Sequence, residues 1–131
     1  MRTLIVEDDF TSRLLLQTLL SRYGECHLAV NGRQAVEAFR HALDAGQPYD
    51  LICMDIMMPE MDGRSAVKEI RACEKARGTL STQGVKIIMT TALDDVENVV
   101  EPFKLPCDAY VSKPIDTGKL INHLKRLGLI S

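Results

Sequence analysis

The chain has 131 residues, 16 Lys and Arg against 18 Asp and Glu, a formal net charge of −2 and four cysteines. That length suits one ordinary domain, which buries about two-thirds of its unfolded surface and needs no disulfide or metal staples. The near-neutral charge and the lack of a Lys/Arg run give no general pull toward nucleic acid or anionic membrane, and no apolar stretch approaches a membrane span.

From the amino terminus, Arg2 is followed at once by a short strand and then acids, so no signal peptide is expected. Residues 3–6 read as a strand, a short run rich in β-branched side chains. A helix follows over 11–23, with Leu14, Leu15, Thr18 and Leu19 at helical spacing and Gly24 closing it. A second strand spans 26–30. Asn31-Gly32 is the turn into a helix over 33–43 that faces Ala35, Val36, Phe39 and Leu43 inward, and residues 45–48 end it. The third strand spans 51–55 and leads into a loop punctuated by Pro59 and Gly63. A helix over 65–76 turns Val67, Ile70 and Cys73 inward, and a polar loop covers 77–84. The fourth strand spans 85–89, a helix is expected over 95–103, and the fifth strand spans 109–112. Asp116 is the expected N-cap of a last helix reaching 127.

Five strands alternating with five helices through short loops predict an α/β fold, a doubly wound five-stranded parallel sheet with helices on both faces. One domain over 1–131 is expected, with no linker and no output domain. The cysteines form no CxxC pair and none lies near a His at zinc spacing. Cys26, Cys53 and Cys107 sit in or beside apolar runs and read as small core residues, and reduced thiols fit an intracellular, cytoplasmic protein.

Four of the strands end in polar side chains. Glu7, Asp8 and Asp9 follow the first, Asp55 closes the third, Thr90 and Thr91 follow the fourth, and Lys113 follows the fifth. In an open parallel sheet the site lies outside the carboxyl ends of the strands. A carboxylate cluster, a hydroxyl and a lysine meeting there suit magnesium-dependent phosphoryl transfer to a carboxylate. Each residue alone has a plainer reading. Glu7 and Asp8 could cap the next helix, Asp55 could open a turn, Thr91 could be structural and Lys113 solvated. Asp9 reads as a surface or helix-cap residue. Met57, Met58 and Met61 read as a flexible apolar patch used in packing. The peptide between Lys113 and Pro114 is open to either isomer. The coincidence at successive strand ends favours the shared site.

With these residues placed, the chain resembles the receiver domain of bacterial two-component response regulators, above all the stand-alone CheY-like members. The stretch from Met54 through Asp55, Pro59 and Asp62 to Gly63 is typical of that family. The resemblance implies a (βα)5 flavodoxin-like fold with strand order 2-1-3-4-5. It makes Asp55 the phosphoacceptor, with Thr91 and Lys113 contacting the phosphoryl group. Glu7, Asp8, Asp55 and the backbone carbonyl of Met57 become the Mg2+ ligands, Asp8 directly and Glu7 mostly through water. Thr91 and Tyr110 become the switch pair, although Tyr110 reads equally as a wall of the core. Met57 and Leu93 occupy the positions that tune phosphoryl lifetime, and both are apolar here. The implied partners are a sensor histidine kinase or phosphotransfer protein and a downstream protein target, with no direct nucleic acid and no membrane. The implied product is a signalling module, not a classical enzyme, that catalyses its own aspartyl phosphorylation and dephosphorylation. Partner binding would switch through the face built from the helix over 95–103, the fifth strand and the last helix. Three departures bear on that face. Pro102 should shorten, kink or end the helix over 95–103, Pro106 stands where the family usually has glycine, and 77–84 resembles a modest insertion.

Other functions fit less well. A receiver-like interaction domain indifferent to phosphorylation would not need Asp8, Asp55, Thr91 and Lys113 together. A haloacid-dehalogenase-type phosphatase needs a second Asp two residues after its nucleophile, where Met57 stands. A flavodoxin needs a phosphate-cradling loop after the first strand, where the acids would repel phosphate. A DNA-binding regulator would need an output domain beyond these residues.

Overall fold

The computed structural model describes residues 1–58, 60–79, 83–92 and 106–131. Strands β1 (Thr3–Val6), β2 (Cys26–Ala29), β3 (Leu51–Asp55), β4 (Lys86–Ala92) and β5 (Ala109–Lys113) form one parallel sheet in the order β2-β1-β3-β4-β5. Helices α1 (Phe10–Leu20), α2 (Gly32–Asp44), α3 (Gly63–Ala76) and α4 (Thr117–Arg126) pack on it, and a 3₁₀ turn over Ser21–Tyr23 extends α1. The helix expected over 95–103, with Pro102, and Leu93 before it lie outside the described residues.

β1 and β3 are buried along their whole length. Such runs, apolar on both faces, belong in a sheet covered on both sides. Alternation along the strands sends their side chains into two separate cores. Leu4, Val6, Ile52, Met54, Ile87 and Met89 meet Val36 and Phe39 of α2 and Val67 and Ile70 of α3. Ile5, Cys53, Ile88, Ala109 and Val111 meet Leu16, Leu19 and Leu20 of α1 and Leu120 and Leu124 of α4. Each large side chain taken fully from water contributes about 1.5–3 kcal/mol, so the two layers jointly fix the strand register.

Helix starts follow side-chain caps. Asp9, Asn31, Asp62 and Asp116 each accept a hydrogen bond from a backbone N–H three residues on, at 2.8–3.0 Å. In α1 the inward face differs from the expected one. Leu16, Leu19 and Leu20 are buried, whereas Leu14 and Leu15 are exposed. The run of three leucines offers more than one helical stripe, and docking on the sheet selects the one that carries Leu16, Leu19 and Leu20. In α2 and α3 the buried positions include Ala42 and Glu74, with Leu43 and Cys73 only half-buried. Glu74 is held by Arg71 at 2.8 Å and by the backbone N–H of Val85 at 2.7 Å. Arg71 also donates to the carbonyls of Pro106 and Val85 and to Asp108, tying α3 to the segments that lead into β4 and β5.

Strand order reverses beside β1, whose neighbours are β2 and β3. A crevice opens at that reversal, above the carboxyl ends of the strands. Glu7 and Asp8 follow β1 there, and Asp55 is the last residue of β3.

Candidate functional site

Four of the side chains expected at the site come together in that crevice. One carboxylate oxygen from each of Glu7, Asp8 and Asp55 lies within 4.8 Å of the others. Lys113, the last residue of β5, places Nζ 2.6 Å from Glu7 Oε1 and 3.2 Å from Asp55 Oδ2. The other Asp55 oxygen accepts the Met57 backbone N–H at 3.4 Å. Glu7 and Asp55 are buried, and Asp8 is exposed at the mouth. Arg13 donates to the backbone carbonyl of Glu7 at 3.2 Å and holds the loop between β1 and α1. Because Asp9 caps α1, capping does not occupy Glu7 or Asp8.

The electrostatics follow from crowding. The Glu7 carboxyl is pushed up to about 7, chiefly by burial and next by its contact with Asp55, while Lys113 acts in the opposite sense. Burial alone would lower the Lys113 ammonium, yet the paired carboxylates hold it above its ordinary value. Glu7 Oε2 is buried with no hydrogen-bond partner among the described residues. The site therefore carries more acid than its lysine balances.

Two glycines shape the loop after Asp55. Gly32 at the start of α2 donates to the Met61 carbonyl at 2.8 Å, and a Cβ there would lie 2.3 Å from that oxygen. The Gly63 N–H donates to the Ile56 carbonyl at 2.7 Å, and a Cβ there would lie 2.3 Å from the Asp55 carbonyl oxygen. Glu60 in the same loop has φ 66°, a left-handed conformation that is rare for a residue with a side chain. The sequence marks Gly63 as punctuation and Gly32 as a turn, but their contact with the loop appears only in three dimensions.

The remaining expected residues are placed less directly. β4 runs on to Ala92, so Thr90 and Thr91 are strand residues rather than loop residues after a strand ending at 89. Thr91 is fully buried, and its hydroxyl donates to the Ala92 carbonyl at 3.2 Å. Tyr110 on β5 pairs in register with Met89 and is 37% exposed. Met57 is exposed, whereas Met58 and Met61 pack against the core. The Lys113–Pro114 peptide is cis. All four cysteines are free, with Cys53 fully buried and its thiol pushed up to about 12 by burial. Among the described residues no helix is long and apolar enough to cross a membrane.

The family model of the response regulator receiver domain matches residues 3–125. This chain belongs to that family. Receiver domains are signalling modules of two-component systems, not classical enzymes. The chain is 30% identical to chemotaxis protein CheY of Thermotoga maritima over 128 residues, 96% of each chain. It superposes with TM-score 0.80 and 28% identity on the Saccharomyces cerevisiae complex of the phosphotransfer protein Ypd1 with the receiver domain of Ssk1, covering 98% of this chain and 88% of that one. Against the receiver domain of a Pseudomonas aeruginosa sensor histidine kinase, with magnesium coordinated in its active site cleft, the TM-score is 0.75 and the identity 30%, covering 97% of each. The chain spans 24% and 23% of the length of two Escherichia coli regulatory proteins that it also matches.

Proposed function

We propose that this receiver domain accepts a phosphoryl group on Asp55 with the help of Mg2+ and then binds a downstream protein partner. The observation that carries the reading is the Lys113 ammonium, poised between Glu7 and Asp55 in a crevice with surplus carboxylate. The donor set fits a magnesium ion. Three carboxylates offer hard oxygen ligands within 4.8 Å, and Glu7 Oε2 is buried without a hydrogen-bond partner among the described residues. Asp8, Asp55 and the backbone carbonyl of Met57 would hold the ion directly, with Glu7 acting mostly through water. When bound, the metal would neutralise the carboxylates and the incoming phosphoryl oxygens.

The protein's own groups supply the rest. An Asp55 carboxylate oxygen attacks the phosphorus of a phosphohistidine donor. A P–O bond forms, the P–N bond breaks, and the imidazole leaves with the electron pair. Lys113 shifts from Asp55 toward the new phosphoryl oxygens and stabilises their charge. Positioning and charge stabilisation dominate such transfers, so this small set of groups suffices. The donor is a sensor histidine kinase or a phosphotransfer protein, a reading supported by the Ssk1 receiver solved with its phosphotransfer protein. The expected compartment is the cytoplasm.

The switch is read from Thr91 and Tyr110. Thr91 turns from the Ala92 carbonyl toward the phosphoryl group, and Tyr110 moves from its exposed position toward the vacated space. The face containing β5 and α4 then changes. Moving such an equilibrium from 1:99 to 99:1 takes about 5.5 kcal/mol. One charged hydrogen bond supplies roughly 1.5–3 kcal/mol, so Lys113 and the metal must contribute the remainder.

Incubation with acetyl phosphate and Mg2+, followed by intact-mass measurement, tests the assignment. One phosphoryl group should appear on the wild-type chain, and none on Asp55→Asn or in the presence of a chelator. Full labelling of Asp55→Asn would remove Asp55 from the centre of the site.

A further inference from the structure

Four of the seven large apolar side chains exposed among the described residues gather at one edge of the molecule. They are Phe10 and Leu14 of α1 and Leu28 and Val30 on or just after β2, each 40–66% exposed. Phe10, Leu14, Gln17 and Ser21 follow one another at helical spacing and form one stripe along α1 and the turn that extends it. Ser21 Oγ lies 4.0 Å from Cys26 Sγ, so this stripe is the flank of α1 that overlooks β2. The other flank, with Leu15, Thr18 and Arg22, lines a groove shared with Thr117 and Ile121 of α4. Leu28 pairs in register with Ile5, which packs on the α1 side of the sheet, and Val30 follows two residues on. β2 is the last strand of the sheet, and α1 leaves these two side chains uncovered. They form the floor of a ledge whose wall is Phe10 and Leu14.

The backbone along the ledge is open too. Thr3 N–H donates to the Glu25 carbonyl and Glu7 N–H to the Ala29 carbonyl, so the odd-numbered residues here turn their backbone groups to β1. Successive residues alternate, so Cys26, Leu28 and Val30 turn theirs to the free edge. Gln34 Oε1 accepts the Val30 N–H at 3.0 Å, and among the described residues no second strand meets this edge. Edge strands are commonly shielded by Lys, Pro or a bulge. β2 contains neither Lys nor Pro, and its register with β1 is unbroken.

We infer that the β2 edge and its ledge bind a second copy of this chain, edge to edge and antiparallel, about a twofold axis beside Leu28. Leu28 of one copy exchanges both backbone hydrogen bonds with Leu28 of the other, as directly opposed residues of a hydrogen-bonded pair do. Cys26 N–H meets the Val30 carbonyl of the other copy, while the Val30 N–H keeps Gln34. On the α1 side the two floors join between the two walls, and the apolar side chains of both copies leave water together. A contiguous patch of a few hundred Å2 is large enough to mark an interaction site. Two such patches with their polar rim approach the lower end of a standard interface, about 1,200 Å2. A second copy suits this edge because one register serves the free backbone groups of both strands. The twofold also uses up both β2 edges, so the assembly closes at two.

Sedimentation equilibrium over a range of concentrations tests this in wild type, Leu28→Lys, Leu14→Lys and Leu15→Lys, with circular dichroism to show that each is folded. The wild-type mass should rise with concentration from 14.6 kDa toward twice that value. An interface this small places the transition in the micromolar range. Leu28→Lys and Leu14→Lys should stay monomeric, because symmetry puts each new charge into the apolar seam twice. Leu15→Lys, on the other flank of α1, should dimerise as wild type does. Amide exchange at Leu28 should slow as the wild-type concentration rises. A wild-type chain that is monomeric at every concentration overturns the inference and leaves the ledge to a different protein. A dimer that survives Leu28→Lys, or one in which the Leu28 amide exchanges as fast as in the monomer, overturns it as well.

Discussion

Replacing Lys113 by methionine removes a charge and keeps nearly the same side-chain length. Lys113 Nζ lies 2.6 Å from Glu7 Oε1 and 3.2 Å from Asp55 Oδ2. The side chain of Glu7 is 0% exposed and that of Asp55 8%, so neither carboxylate can turn to bulk water. Breaking a buried ion pair by removing one partner costs about 3–5 kcal/mol. Lys113 is itself 24% exposed and Asp8 opens the crevice to solvent, which screens the interaction. A loss of about 2 kcal/mol is therefore expected, or about 6–8 °C in Tm for a domain of this size. The loss depends on pH through Glu7, whose carboxyl is raised from an ordinary 4.5 to about 7. Burial favours its protonated form, so that contribution to stability is complete below about 4.5 and is lost as the pH rises through about 7. Near pH 6 Glu7 mostly carries a proton and has little need of the lysine. The Lys113→Met deficit should therefore be largest near pH 8 and smaller near pH 6. Thermal denaturation in chelator at both pH values, followed by circular dichroism, measures it. A variant as stable as wild type at pH 8, or a deficit that grows toward pH 6, would refute the balance of charges described for this crevice.

Met57 projects into solvent beside Asp55 and offers no hydrogen bond to a hydrolytic water, so Met57→Asn should shorten the phosphoryl lifetime in a decay assay by mass; an unchanged or longer lifetime would count against that account. Thr91→Ala should leave labelling of Asp55 largely intact but abolish the beryllofluoride-dependent change in amide exchange around Tyr110. An identical exchange response in variant and wild type would take Thr91 out of the switch. Arg71→Met should cost about 2–3 kcal/mol in urea unfolding, because it leaves the buried Glu74 without its cation and frees α3 from the Val85 and Pro106 carbonyls. A loss below about 0.5 kcal/mol, the range of ordinary surface substitutions, would show that this clamp carries no weight.

Local pattern in the sequence was enough to reveal the alternation of strands and helices, the caps at Asp9 and Asp116, and the gathering of Glu7, Asp8, Asp55 and Lys113 at strand ends. These features are encoded in neighbouring residues. A buried strand must be a continuous apolar run, a cap must stand at the first turn, and polar side chains ending such runs all point to one end of a parallel sheet. Three outcomes depended on tertiary packing. The inward face of α1 was ambiguous because Leu14, Leu15, Leu16, Leu19 and Leu20 offer overlapping stripes, and only docking on the sheet selected the last three. The length of β4 was hidden because Thr90 and Thr91 are polar, although pairing with Asp55 and Ser112 extends the strand through them. Finally, the need for glycine at 32 and 63 arises from two carbonyl oxygens, of Met61 and Asp55, that approach too closely to admit a Cβ. Such contacts join separate parts of the chain, and only the folded arrangement of α2, α3 and the loop after β3 brings them into being.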